Sequence, residues 1–462
     1  IKTESQIIIM KKVVTIILFL ASISPSYSQS VSNMQKLGGA NEFTSGGTPS
    51  GWHYAACWGY VADGREYAII GHYAGTTVYD VTNPSNITNK GTVPGPGSFY
   101  NYREMKTYSH YLYIVSEGGS GVQIVDLQYL PDSISFVKNY TFPGYTRSHS
   151  ISQDGRFLYL NGGNYNNGGV FILDLLDPVN PVKRGQWGTR YVHDCFVRND
   201  TIYAAAISSG HMVFLNAVNK DSIKFIREFT YPSAVTHNAW TTDDRRILVT
   251  TDEGGTNHAI LWDISDFSNQ IRLSEITPYD GASMVHNAYI KGDSLYLAHY
   301  RAGVIVYDIS NPLTPAEVGH YDTYPGVNST AFQGCWNVYP YLPSGNIIAS
   351  DIATGLYVLK LGKTTSINNQ NVESADNFNL MQNYPNPFNP LTNITYYLPK
   401  QEYVKITVSD ELGRQVAVLV NEVQQKGSYS AEFKADGLAS GVYYYTINAG
   451  KFVSTKKMVL TK

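Results

Sequence analysis

Residues 286–321 read HNAYIKGDSLYLAHYRAGVIVYDISNPLTPAEVGHY. Four apolar-aromatic runs of strand length are separated by Gly292-Asp293, by Arg301 to Gly303 and by the Pro-bearing turn 310–315. Such runs, punctuated by Gly, Asp, Asn and Pro, predict four strands in hairpin succession. The third run, ending at Asp308, has counterparts throughout the chain. They are TTVYD at Asp80, VQIVD at Asp126, VFILD at Asp174, MVFLN at Asn216, AILWD at Asp263 and LYVLK at Lys360. Successive copies lie 42 to 52 residues apart. Four strands in a repeat of about 40–50 residues is the pattern of a β-propeller blade. The expected fold is therefore all-β, a seven-bladed β-propeller.

Composition agrees. The 462 residues include 37 Tyr and 40 Gly, and only 15% are charged, which favours short strands and tight turns over helices. With 43% of residues apolar, gross disorder is excluded. Thirty-four basic against 37 acidic side chains give a net charge of −3, leaving no electrostatic basis for binding nucleic acid. Ring closure is the second expectation. The seventh unit stops at Leu361, before the fourth strand that the other units possess, and NMQKLGG at 33–39 resembles that missing strand. An N-terminal strand completing the last blade would cover an exposed edge, so the propeller is expected over 30–361.

These repeats resemble the choice-of-anchor B family of secreted proteins with LVIVD-type repeats. The resemblance is carried by CWGYVADGREYAIIGH from Cys57, YREMKTYSHYLYIVSEGGSGVQIVDL from Tyr102, and the segment from Tyr321 to Leu359. It implies export and a propeller-like region joined to a C-terminal anchor, with no assigned activity.

Both ends carry addresses. Met10-Lys11-Lys12, the apolar run Val13 to Ala21 and Ser26-Tyr27-Ser28 describe a signal peptide within 1–29, with Met10 as the initiator. The run is too short to span a bilayer, so no transmembrane anchor is expected in the mature chain. Residues 362–377 are polar and read as a linker. Beyond it, 378–462 alternates as VKITVSD, GRQVAVLV, GSYSAEFKA, GVYYYTINAG and STKKMVLTK, the pattern of a small immunoglobulin-like β-sandwich. Its Asn-Pro-rich opening NYPNPFNPLTNI, its ELGR turn and its GVYYY strand resemble the type A C-terminal sorting domain of type IX secretion. That resemblance implies passage through the outer membrane, removal of this domain by a sorting peptidase, and release or attachment to surface lipopolysaccharide.

Aligned repeats place His149, His193, His237 and His286 at one position, opening the first strand of four units, with Arg103 at the matching place in the second. A second set, His72, Glu117, Asp252, His299 and Asp351, closes the second strands, with Glu253 adjacent. Both sets should converge at one mouth of the channel. Neutral imidazoles and carboxylates ligate transition metals, so His149, His193, His237, His286 and Asp252 form a candidate site, zinc being the best match. Four imidazolium ions about 7 Å apart would repel by roughly 2 kcal/mol per pair, so the rings should be neutral or paired with acids. In a hydrolase, Glu117 or Asp252 would serve as general base; in a binding protein, Arg103, Glu117, His299 and the four aligned histidines would contact the ligand. A histidine repeated once per unit serves equally well as an interstrand hydrogen-bonding residue. No HExxH, GxSxG or paired-Cys zinc motif is present. Cys57 and Cys335 occupy similar places in the first and seventh units, where a bridge is conceivable; the alternative is that all three cysteines are small buried residues.

Overall fold

The computed structural model describes residues 29–49, 51–96, 101–254, 258–326, 330–362, 378–380, 383, 386, 388–450 and 452–461. The expected signal peptide and nearly all of the linker lie outside those residues. The chain divides into two compact units, 1–365 and 366–462.

Among the described residues, the first unit contains seven antiparallel sheets, over 54–94, 103–140, 150–187, 194–230, 236–276, 287–321 and 335–361. In the first six, four strands lie side by side in chain order. The seventh has three strands of its own, Cys335–Tyr339, Asn346–Asp351 and Gly355–Leu361, and its fourth is Met34–Ala40 from the N-terminal end. That pairing runs from Met34 opposite Leu361 to Ala40 opposite Leu356. Just before it, Val31–Ser32 adds to the edge of the sixth sheet opposite Tyr321 and His320. Gly38 is needed for this arrangement because a Cβ there would stand 1.8 Å from the Pro84 carbonyl oxygen of the first sheet's turn. The first strand of each sheet lies against that of the next, and Cys335–Tyr339 lies against Tyr54–Ala62. The architecture is all-β and propeller-like.

The repeated acidic residue has a local cause. Each ends a third strand, and its side-chain oxygen accepts a hydrogen bond from the backbone N–H two residues on. The pairs are Asp80 with Thr82, Asp126 with Gln128, Asp174 with Leu176, Asn216 with Val218, Asp263 with Ser265 and Asp308 with Ser310, all at 2.8 to 3.1 Å. This side-chain turn directs the chain into the fourth strand. Lys360 lacks it, and among the described residues no fourth strand of the seventh sheet follows in chain order. Apolar side chains of adjacent sheets then pack face to face, as Tyr159, Val170 and Ile172 do with Val197, Ala204 and Val213.

The second unit has two sheets around one core. One comprises Asn379–Leu380, Leu391–Leu398 and Gly427–Lys434. The other is ordered Gln415–Gln424, Glu402–Asp410, Gly441–Ala449 and Phe452–Leu460. Period-two alternation buries Val404, Ile406 and Val408 beside Tyr445 and Ile447. Among the described residues no helix is long and apolar enough to cross a membrane.

Asp174 is nearly buried and also accepts from Arg156 and Arg184, each at 2.8 Å. Asp174→Ala is expected to cost about 2 kcal/mol, and Asp308→Ala, at an exposed turn, clearly less. Thermal unfolding of the two variants checks this; equal losses would contradict the account.

Candidate functional site

The aligned histidines reach the channel because each is an extra residue at the head of its strand. His149, His193 and His286 donate their backbone N–H to the carbonyls of Asn161, Ala205 and Ala298. Those same residues already oppose Ser150, Asp194 and Asn287. In the fifth and seventh sheets the pairing register slips across His237 and Trp336. An extra residue re-aims its side chain, here into the mouth. Arg103 has no such displacement, since it pairs directly with Ser116. Its guanidinium is buried against the first sheet, where Nε donates to the His72 carbonyl at 3.1 Å. Tyr102 lines the mouth instead.

The mouth is a cavity of about 330 Å³. An arc of rings forms one wall, with centroid separations of 4.0 Å for His149–His193, 4.6 Å for His193–His237, and 4.3 Å for both His237–His286 and His286–Trp336. Trp52 and Tyr102 continue it, 5.9 and 5.7 Å from Trp336. Two carboxylates face these rings. Glu117 Oε1 stands 2.5 Å from His149 Nδ1, and Glu253 lies 3.6 Å from His237 Nε2 and 3.8 Å from His286 Nε2. Tyr300 donates its hydroxyl to Glu253.

Five of the expected residues, Glu117, His149, His193, His237 and His286, therefore line one cavity. Asp252, His299 and Arg103 do not, which corrects the sequence expectation. Side chains alternate along a strand, so a shift of one position changes the face. Asp252 turns outward to accept from the Tyr231 hydroxyl at 2.7 Å and from the Val235 N–H, and Glu253, the next residue, takes the mouth position. His299 is fully buried, with a pKa pushed down to about 3 by burial and by His258, and Tyr300 is its lining neighbour. Arg103 borders a narrow space shared between the rings His149, His237, His286 and Trp336 and the next residues along, Ser150, Asp194 and Asn287. Sequence reasoning missed Tyr300, Tyr102, Trp52 and Phe332 as lining residues. Cys57, Cys195 and Cys335 are free and buried.

The rings divide into two electrostatic types. Burial opposes charge on His149, yet the hydrogen bond and charge of Glu117 prevail and hold its pKa above 6.5. Burial likewise works against the Glu117 carboxylate, but His149 prevails and holds it below its usual 4.5. His193 is pushed well down by burial, then by His149, His237 and His286. His286 is pushed well down by burial and then by His237, against the bond to the Trp336 carbonyl. A His149–Glu117 ion pair thus borders an arc with neutral rings.

Comparison with known proteins locates two families. Residues 382–461 match the secretion system C-terminal sorting domain, and residues 283–323 match the LVIVD repeat. The sorting domain means handling by the type IX secretion machinery and delivery to the cell surface or extracellular space. No curated protein matches. A solved protein from Lactobacillus plantarum is similar at 11% identity, covering 79% of this chain and 99% of its own, with a TM-score of 0.51. YCF48 bound to D1 peptide is similar at 11% identity, covering 74% and 98%, with a TM-score of 0.50. Identities this low show the fold alone.

Stability should follow these pKa directions. The raised pKa of His149 means that its stabilisation is lost as pH rises through that value, and the lowered pKa of Glu117 means that its own is lost as pH falls through it. The pair's contribution is fully present between 4.5 and 6.5, the ordinary values of the two groups. His193 and His286 act oppositely: below 6.5 the unfolded chain binds protons that the folded rings refuse, so stability falls with pH. Chelator-treated protein is expected to unfold at lower temperature at about pH 5 than at about pH 7.5, and His193→Gln to show a shallower decline. Parallel pH profiles would contradict a neutral His193.

Proposed function

We propose that the chain is a secreted, surface-attached seven-bladed β-propeller of the choice-of-anchor B type that binds a small polar ligand in its histidine-lined mouth. On this reading the propeller occupies 30–361, and Met34–Ala40 is its closing strand. An immunoglobulin-like sorting domain over 378–462 is removed by the sorting peptidase, leaving the propeller on surface lipopolysaccharide. The observation that carries the binding function is the mouth itself. It combines carboxylate acceptors, imidazole nitrogens and the aromatic faces of Trp52, Tyr102 and Trp336 in one cavity of about 330 Å³. An apolar wall with a few convergent polar groups at this size is the usual form of a small-molecule site. A purely passive scaffold would not require those polar groups to converge.

A hydrolase using the same mouth is the second reading, and the placement of its acids weakens it. Asp252 faces away from the cavity, and Glu117 is held at a lowered pKa by His149, which makes it a weak base.

A thermal-shift panel of mono- and disaccharides, amino acids and aromatic amines tests the binding function on the full chain. A ligand at about 100 times its Kd stabilises by about 2.7 kcal/mol, a readily measured shift. At least one compound is expected to raise the unfolding temperature, with the shift lost in Trp52→Ala. A panel that shifts wild type and Trp52→Ala alike would overturn it. For export, a chain ending at Gly362 is expected to remain in the periplasm on cell fractionation, whereas the full chain reaches the surface.

A further inference from the structure

The pocket wall holds three hydrogen-bond acceptors that face one another. His237 Nδ1 lies 3.0 Å from the His286 carbonyl oxygen, which can only accept, so Nδ1 carries the proton. In the neutral ring Nε2 then presents a lone pair. His286 repeats the arrangement, its Nδ1 donating to the Trp336 carbonyl at 2.5 Å. Both Nε2 atoms turn to the Glu253 carboxylate, at 3.6 and 3.8 Å, too far for hydrogen bonds. The His237 side chain is 3% exposed, and its Nε2 has no hydrogen-bond partner among the described residues. Lone pairs converging on a carboxylate in a buried wall repel unless a bound cation or a proton on one ring lies between them, and a cation satisfies all three acceptors at once.

Resting on the binding role of this mouth, we propose that His193, His237 and Glu253 bind one divalent transition cation, zinc by ligand type, through which the pocket takes an oxygen- or nitrogen-bearing ligand. Among the described residues these three form the one group whose ligand atoms lie within 4.8 Å of one another. Around a tetrahedral ion with bonds of about 2.0–2.1 Å, ligand atoms stand roughly 3.3 Å apart. The His237–Glu253 pair at 3.6 Å is nearly there, and the widest separation, 4.8 Å, closes with side-chain movements totalling about 1.5 Å. Two imidazoles and one carboxylate leave coordination open toward the cavity, with His286 Nε2 beside it. The outer contacts also fit. The His286 carbonyl fixes the His237 tautomer, and the Tyr300 hydroxyl orients Glu253. This differs from the set expected from sequence, because Glu253 replaces Asp252 and His149 is committed to Glu117.

Zn2+ titrated into chelator-treated full-length protein, followed calorimetrically and by elemental analysis after desalting, tests the assignment. One Zn2+ per chain is expected. His237→Gln and Glu253→Gln should abolish retention, and Tyr300→Phe should weaken it by about 10–100-fold. Replacing zinc with Co2+ should produce visible ligand-field bands that Glu253→Gln removes. Unfolding curves confirm that each variant is folded, and Tyr300→Phe keeps the test open if a ligand variant is not. Wild type without stoichiometric Zn2+, or variants that bind it equally well, would overturn the metal site. Compound shifts that depend on Trp52 but not on Zn2+ would overturn the role of the metal in taking the ligand while leaving the binding mouth intact. Zn2+ bound with no compound shifting the wild type more than Trp52→Ala would uphold the metal and overturn that ligand reading.

Discussion

The site depends on one extra residue at the head of several inner strands. Side chains alternate along a regularly paired strand, so one extra residue changes which way each of them turns. Displacement of His149, His193, His237, His286 and Trp336 from that register turns five rings to one side. The second sheet shows the alternative. It starts without an extra residue: Arg103 packs against Gly71, where an added Cβ on the glycine would stand 2.9 Å from the arginine side chain, and Tyr102 just before it lines the mouth. The wall of the mouth is thus a property of backbone register before it is one of side-chain chemistry.

Immediately below the rings lies a belt of polar side chains one residue further along the same strands. Ser150 donates to Asp194 at 2.5 Å, Asn238 donates to the other Asp194 oxygen at 2.5 Å, and Asn287 donates to Asn337 at 3.2 Å. Asn337 continues to the Cys57 carbonyl at 2.9 Å. The belt ties neighbouring inner strands together and satisfies groups that would otherwise be buried without partners. Two residues further on, Ser152, Phe196 and Trp240 border a separate cavity of about 290 Å³ together with Trp58 and Lys106. The belt therefore stands between two differently lined ends of the channel.

Much of this is legible in the sequence. The recurring strand end signals the repeat because its side-chain oxygen makes the same turn in six of the seven copies. The histidines aligned because the head of the first strand is a fixed point in every unit. What stayed hidden is whatever one residue of register decides. Asp252 and Glu253 are adjacent acids, and neither Gly nor Pro marks the slip at His237 that puts the second of them in the mouth. His299 and Tyr300 present the same ambiguity. Trp52 and Phe332 enter from segments preceding an inner strand and have no counterparts in the other repeats, so periodicity carries no signal for them.

The pairing of Met34 with Leu361 joins residues from opposite ends of the repeat region. Loop entropy grows only with the logarithm of loop length, so joining these ends costs about 2 kcal/mol more than a contact one repeat apart. The thermodynamic burden is small, but the order of events is constrained. A chain synthesised from its N-terminus presents the closing strand at the start and its partner only after every other sheet. The strand must wait until the seventh sheet's last strand is made before it can take its place there. Anything that arrests the chain before Leu361 leaves the edge of the seventh sheet open to strands from other molecules.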